Sequence, residues 1–454
     1  MRVLLISYLF PPFNTIGAVR TGKTAAWLSR WGHDVRVISA RDQPLPSDLP
    51  LELPPEHVIH TPWLNVNRPI EAALGGRQQV ITRGFAAEGR SPWLRRLGGC
   101  YRTLLNFPDA QIGWLPFAER AGSRLLRDWR PDVILASSGP ITSLLVARRL
   151  ATRHGIPWVA ELRDLWVENH NYQHPPWRRW IESAWEQRTL GAADALVTVS
   201  GPLAECLRSK HRQPVAVVLN GYDVSDVQDF DAPDVRSAAL RRDGTGPLRI
   251  IYTGTVYEKW QDSTPLFEAI RELGEDAAQV RIAFYGRRLD GVLRAAKQSK
   301  VETAVEIHEP ISHHDALRIQ AEADALLLLL WNEPRELGVY TGKLFEYLGA
   351  RRPVLAIGLG NDVAADLIRE RRAGHVLNDP HAIAQMLRQW IADKRAGRLA
   401  AQLPADVAAG LSRECQVRKL ETVLRDVANA SANARARDVP GPHSLARRRA
   451  ERVS

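Results

Sequence analysis

The stretch Gly338-Val-Tyr-Thr-Gly-Lys-Leu-Phe-Glu-Tyr-Leu-Gly-Ala-Arg-Arg-Pro-Val-Leu-Ala holds the densest group of chemically able residues in this 454-residue chain. An apolar run, Ala325–Leu330, precedes it and reads as a buried strand. Gly338 and Gly342 then mark a loop, and a helix is expected from about Lys343 to Gly349. Gly342 and Lys343 fall where free backbone N–H groups and the helix dipole favour an anion. Lys343 adds a charge, and Glu346 lies about one turn further on. A carboxylate there can accept two hydrogen bonds from vicinal hydroxyls, as a ribose presents. A diphosphate clamp beside a ribose acceptor is the chemistry of a nucleotide-sugar site. The plain alternatives are a solvated first-turn lysine and a surface carboxylate.

Other candidates are scattered. Lys259 falls in a loop, as do Arg287 and Arg288 after the Arg281–Tyr285 run. Arg163 and Asp164 follow the apolar Trp158–Ala160 segment, at what would be the carboxyl end of a strand. Asp164 is the candidate base or acceptor-hydroxyl partner; a structural ion pair is the alternative. Ser138 follows the Val133–Ala136 run and is an acceptor-side candidate. Gly17 heads a helix after a Pro11-Pro12 loop, a place for a phosphate or a sugar hydroxyl. Gly17-Ala-Val-Arg-Thr-Gly22-Lys23-Thr24 also matches the P-loop pattern. It is rejected: apolar spacing at Ile16, Val19, Ala26, Trp27 and Trp31 starts the helix near Gly17, so Lys23 lies on it. His33, His313 and His314 lack metal-ligand spacing, and Cys100, Cys206 and Cys415 form no pair or cluster by spacing, so no metal site is expected.

The elements that must position these residues repeat as strand, helix, strand. Apolar strand-length segments are Val3–Ser7, Val35–Ser39, Val133–Ala136, Trp158–Ala160 and Ala195–Val199, then Ile250–Thr253, Arg281–Tyr285, Val305–Ile307, Ala325–Leu330 and Val354–Ile357. Amphipathic stretches such as Thr142–Arg153 and Asp262–Leu273 lie between them. The pattern predicts an α/β chain of two Rossmann-like, doubly wound domains facing across a cleft, with ligands at the carboxyl ends of the strands. The expected divisions are a first domain over 1–225, a linker over 226–247 and a second domain over 248–400. A C-terminal helix over 401–428, packing back on the first domain, and an Arg-rich tail without structure over 429–454 would follow. That tail holds six arginines against one aspartate and one glutamate. Pro44 to Ser91 is an insert without clear periodicity.

The formal net charge is +10, which suits a phosphate-bearing ligand without requiring nucleic acid. Three cysteines without disulfide spacing suit a reducing, cytoplasmic compartment, and no secretory leader or uninterrupted spanning run is visible. Trp177, Trp180, Ile181, Ala184 and Trp185 keep helical spacing, with Arg178, Arg179 and Arg188 beside them. They read as the core-facing stripe of an amphipathic helix, while Trp with Arg also suits the inner face of an anionic membrane.

In order and spacing, the chain resembles a family 4-type glycosyltransferase (glycosyl transferases group 1) of the GT-B fold. The matching pieces are Pro11-Pro12 through Gly17 and Gly32-His33-Asp34-Val35; Gly155-Ile-Pro-Trp-Val-Ala-Glu161-Leu-Arg163-Asp164-Leu-Trp166; Val199-Ser200 and Asn220-Gly221-Tyr222-Asp223; Tyr252-Thr-Gly254-Thr255; and Gly342-Lys343-Leu-Phe-Glu346-Tyr347 with Arg352-Pro353-Val354. The resemblance implies retaining sugar transfer from a nucleotide-sugar donor to a hydroxyl of a glycan, lipid-linked or small-molecule acceptor, without metal or cofactor. It implies a basic pair that neutralises the leaving diphosphate. The catalytic candidates are then Asp164, Lys259 and Glu346; Gly17, Gly254, Thr255, Arg287, Gly342, Lys343 and Glu346 would bind the donor, and Arg163 and Ser138 would serve the acceptor side. The sequence departs from the family at Gly338, where a first Glu is usual, with Glu333 and Glu336 out of register. Thr255 stands where an Arg is common, for which Arg287 is the candidate replacement. Ser137-Ser138-Gly139 stands where a His is common. A nucleotide-sugar epimerase and a non-catalytic binding protein on the same fold are the rival readings.

Overall fold

The computed structural model describes residues 1–68, 103–169, 172, 174–224, 246–332, 338, 340–399 and 403–438. Its strands are parallel throughout. β1 (Arg2–Ile6), β2 (Asp34–Ala40), β4 (Val133–Ser137), β5 (Trp158–Leu162) and β6 (Ala195–Thr198) are near-continuous apolar runs that only a sheet covered on both faces can bury. With β3 (Val58–Thr61) and β7 (Val215–Val217) they form a seven-stranded sheet ordered β3-β2-β1-β4-β5-β6-β7. Val3 lies opposite both Val35 and Val133, so β1 is central. The second sheet repeats the scheme. β8 (Leu248–Thr253), β9 (Val280–Tyr285), β10 (Val305–His308), β11 (Ala325–Leu329), β12 (Val354–Ile357) and β13 (Gly374–Leu377) are ordered β10-β9-β8-β11-β12-β13. In both sheets the strand order reverses beside the first strand, and the carboxyl end of that switch point is the ligand position of doubly wound folds.

β3, β7 and β13 are absent from the sequence expectation. All three are short edge strands whose residues are mostly half-buried or exposed, so they lack the continuous apolar signal of the central strands. The helices between strands have local causes. α1 (Ile16–Arg30) starts where the Thr15 hydroxyl accepts from Ala18 N–H at 3.1 Å. Gly22, Lys23 and Thr24 therefore lie on the helix, and Lys23 pairs with Glu52 at 2.8 Å.

The chain divides into two compact units: Met1–Val199 with Leu203–Val218 and Val417–Ser454, and Ser200–Pro202 with Leu219–Gln416. The first division thus falls near residue 218, earlier than 225, because Tyr222 bridges to Ser412 and packs with the second unit's core. Most of the expected 226–247 linker lies outside the described residues, as do much of the Pro44–Ser91 insert, Cys100, Glu333 and Glu336. The second unit continues past residue 400 to Gln416, since Val407 and Leu411 are buried in its core. The last helix runs Arg413–Asp438, beyond the expected end at 428. Ala and Arg in that stretch are strong helix formers, so it continues as a helix without needing a core to bury. Val417, Leu420, Leu424 and Val427 pack with Val3, Leu5 and Val35, covering one face of the first sheet.

Candidate active site

In the second unit, β8 ends at Thr253 and Gly254 follows with φ of 111°, a conformation that disfavours any side chain. Gly254 N–H donates to Tyr285 O at 2.7 Å and Val256 N–H to Arg287 O at 3.4 Å, tying the loop after β8 to the loop after β9. The helix Gly342–Ala350 begins beside this loop, and no side-chain cap from Thr341 closes its N-terminus. Lys343 reaches across: its Nζ donates to the Tyr252 hydroxyl at 2.6 Å and lies 3.9 Å from that ring's centroid. A Cβ on Gly254 would stand 2.8 Å from Lys343 Cε, a second reason for glycine there. Burial of the Lys343 ammonium, partly offset by Glu346, lowers its pKa to about 7.

One turn on, Glu346 Oε2 accepts from Gln320 Nε2 at 3.3 Å. The same Gln320 nitrogen donates to Thr253 Oγ1 at 2.9 Å, and Thr253 N–H donates to the Tyr347 hydroxyl at 3.2 Å. Burial pushes Tyr347 up to about 12, so it stays a neutral phenol. This chain of bonds holds Glu346 against the carboxyl end of β8 and leaves Oε1 with no hydrogen bond among the described residues. The arrangement offers an open helix start, a lysine that gains by meeting an anion, and a carboxylate oxygen that can accept from hydroxyls.

Gly254, Thr255, Gly342, Lys343 and Glu346 are thus gathered at one place, with the backbone of Arg287 beside them. Thr255 contributes its carbonyl, which accepts from the Tyr252 hydroxyl at 2.8 Å. The Arg287 side chain is exposed and makes no ion pair among the described residues. Lys259 is exposed too, with Nζ 5.0 Å from the Trp260 ring centroid, further out along the same loop. Gly338 is buried in the loop before the helix.

The first unit carries the remaining candidates. Glu161 is a carboxylate inside an apolar strand, and it is fully satisfied: Arg20 Nη2 donates to it at 2.8 Å and Ser137 Oγ at 2.6 Å. The opposing Arg20 charge keeps the Glu161 pKa low despite burial, which alone would raise it. Arg163 is half-buried beside the Ser138–Gly139 turn. Its Nε donates to Ser138 O at 3.0 Å, and its guanidinium fills the space against Gly17, where a Cβ would come within 2.5 Å of Nη1. Gly17 therefore makes room for an arginine at the head of α1. Ser138 and Asp164 line a cavity of about 470 Å³ with Tyr8, Gln43, Asp109 and Glu182.

Tyr252, Gln320 and Tyr347 were not legible as site residues, since core tyrosines and a helical glutamine carry no motif. Asp109, Gln43, Tyr172 and Glu182 come from separate segments that only the fold assembles. Glu161 had one signal: a carboxylate in an apolar strand needs a buried partner.

The tryptophan helix reverses its expected orientation. In α2 (Pro176–Leu190), Trp177, Trp180 and Ile181 are exposed, by 47%, 76% and 40%, while Arg178 and Glu182 are buried. Arg178 donates to Glu182 Oε1 at 2.5 Å and to the carbonyls of Thr103, Asn106 and Pro108. Those carbonyls and Glu182 can be satisfied only if the Arg178 face is buried, which turns the tryptophans outward. Trp185 stays inside, stacked on Phe107 at 5.4 Å.

Two parallel α/β units, each with its strand order reversing beside the first strand, define the doubly wound class of fold. Residues 17–223 match the glycosyl transferase 4-like domain and residues 247–393 the glycosyl transferases group 1 domain. The chain belongs to this family of glycosyltransferases and is an enzyme of the GT-B fold. A glycosyltransferase from Rickettsia africae is similar at 14% identity, covering 94% of this chain and 98% of that one, with a TM-score of 0.60. Sucrose-phosphate synthase from Thermosynechococcus elongatus is similar at 15% identity over 95% of this chain and 100% of that one, with a TM-score of 0.59. HepE of Anabaena, solved in complex with UDP, is similar at 12% identity over 94% and 99%, with a TM-score of 0.57. At such identities the likeness is one of fold. Compared by sequence with curated proteins, the chain matches none.

Proposed function

We propose that this enzyme moves a sugar from a nucleoside-diphosphate donor, held by the second unit, to a hydroxyl of an acceptor held by the first. The observation that carries the reading is the meeting of Lys343 and Glu346, one turn apart on an uncapped helix, against Gly254 at the switch point. In this reading the first-turn N–H groups and Lys343 take the diphosphate, and Glu346 Oε1 takes the ribose hydroxyls. UDP in the similar Anabaena structure supports a nucleotide ligand of this kind.

In this reading the transfer needs no divalent ion, because cationic side chains take its place beside the leaving diphosphate. Lys343 is in place, and the exposed side chains of Lys259 and Arg287 are free to swing onto it. Together they would stabilise the departing diphosphate electrostatically. Asp164, exposed at the rim of the first unit's cavity, would orient the acceptor hydroxyl. Retention of anomeric configuration rests on the family resemblance and is read directly by NMR of the product. A place in glycan or glycolipid synthesis follows from the same resemblance.

No described helix is long and apolar enough to cross a membrane. The outward Trp177, Trp180 and Ile181 are the apolar surface through which the enzyme would rest on an anionic membrane.

Nucleoside-diphosphate release, measured with and without candidate acceptors in the presence of a chelator, tests the reading. Acceptor-dependent release that survives chelation is expected. Release that needs no acceptor and yields an epimerised sugar would replace transfer with epimerisation.

A further inference from the structure

We propose that the cavity of the first unit seats an uncharged, hydroxyl-rich pyranosyl group, the acceptor sugar itself, and discriminates against phosphorylated ligands. This rests on the glycosyl-transfer reading above and adds the class of the acceptor.

The cavity opens at the carboxyl ends of β1, β4 and β5, and about 470 Å³ is within the range of small-molecule sites. Its polar wall carries three carboxylates, Asp109, Asp164 and Glu182, and the Gln43 amide, beside Ser138, Asn169, Tyr172 and His174. Gln43 spends its amide nitrogen on Tyr8 O at 2.7 Å and Ala40 O at 3.1 Å. That fixes the amide orientation, and Oε1 is left buried with no partner. The Tyr172 hydroxyl faces the Glu182 carboxylate, and burial followed by that carboxylate pushes its pKa up to about 12. Asp164 stands exposed at the rim and makes no hydrogen bond among the described residues.

The two deeper carboxylates are already engaged. Asp109 accepts from Thr142 N–H at 2.8 Å, Thr142 Oγ1 at 2.7 Å and Gln111 N–H at 2.9 Å. Glu182 accepts from Arg178 at 2.5 Å and Trp166 Nε1 at 2.9 Å. Among the described residues lining the cavity there is no lysine or arginine; Arg163 lies behind the wall, its guanidinium against Gly17 and bonded to the carbonyls of Ser138 and Gly139. A phosphate is negatively charged and rich in acceptors, so here it would face three carboxylates and the unpartnered Gln43 oxygen. A sugar brings the missing donors, one O–H for each open acceptor, and its C–H faces suit the Leu9, Ile141, Leu165 and Trp166 surfaces.

Ligand-observed NMR on the full chain decides this. The probes are methyl glucosides, galactosides, mannosides and N-acetylglucosaminides, against the 1- and 6-phosphates of the same sugars. Nucleoside-diphosphate binding is measured in the same samples. At least one uncharged glycoside is expected to bind tenfold or more tightly than its phosphates. Asp164→Asn should weaken that glycoside several-fold without changing nucleoside-diphosphate affinity, and Asp164→Lys should shift preference toward the phosphates. Phosphates binding more tightly than glycosides to the unmodified chain would overturn the proposal. So would a chain that binds nucleoside diphosphate but no glycoside. A chain that binds no nucleoside diphosphate overturns instead the donor reading on which the proposal rests.

Discussion

Lys343 is an ammonium group held on a tyrosine ring, with a pKa near 7 that burial causes. A bound diphosphate stabilises its charged form and raises that value. Affinity is therefore full below about pH 7 and falls as pH rises through and above it, until the bound-state value is passed. At about pH 8 binding should take up a proton, and at about pH 6 it should not. Calorimetric titration with a nucleoside diphosphate in two buffers of different ionisation enthalpy reads this, and buffer-independent heats at the higher pH would contradict it. Gly254→Ala is expected to lower donor affinity about tenfold, because it both strains the φ of 111° and pushes Lys343 away. The same titration on this variant shows whether affinity is kept, in which case the close approach has no role. Lys343 and Glu346 could be read from sequence because one helical turn joins them. Their supports could not: Tyr252 lies 91 residues from Lys343 and Gln320 lies 26 from Glu346, and no local pattern links them.

Among the elements, α2 shows most clearly where sequence reading stops. The helical spacing of its tryptophans is visible, and so is the helix. Which stripe faces inward depends on three carbonyls in the 103–108 segment, some 70 residues away, that need Arg178. Arg178→Met leaves those carbonyls without their donor and the buried Glu182 without its countercharge, and should cost about 3 kcal/mol or more in denaturant unfolding. A loss below about 1 kcal/mol would mean that the pair is not the reason for the orientation. Replacing Trp177 and Trp180 together by Ser should leave stability nearly unchanged, since both are exposed, while reducing flotation with anionic vesicles. Unaltered flotation would remove the membrane role of this face. The central strands were legible as continuous apolar runs, whereas β3, β7 and β13 escaped notice because edge positions do not demand such runs.

For the whole molecule, two repeats of the same parallel scheme could be anticipated from alternating apolar strands and amphipathic helices. The units' true limits could not, because Leu411 and Ser412 join the second unit while Leu420 and Leu424 cover the first. Leu424→Ala, at a fully buried position, should destabilise the first unit by about 2–5 kcal/mol. An unchanged unfolding midpoint would show that this helix is dispensable to the core. The basic balance of +10 no longer needs nucleic acid once an anionic donor has a place in the second unit.

The donor site is the central claim, and titration of the folded chain with uridine, guanosine, adenosine and thymidine diphosphates tests it most directly. The account predicts that one of these binds, and that Glu346→Ala and Lys343→Met each lose at least tenfold in affinity, about 1.4 kcal/mol, while remaining folded. Folded variants that keep the full affinity of the unmodified enzyme would contradict it.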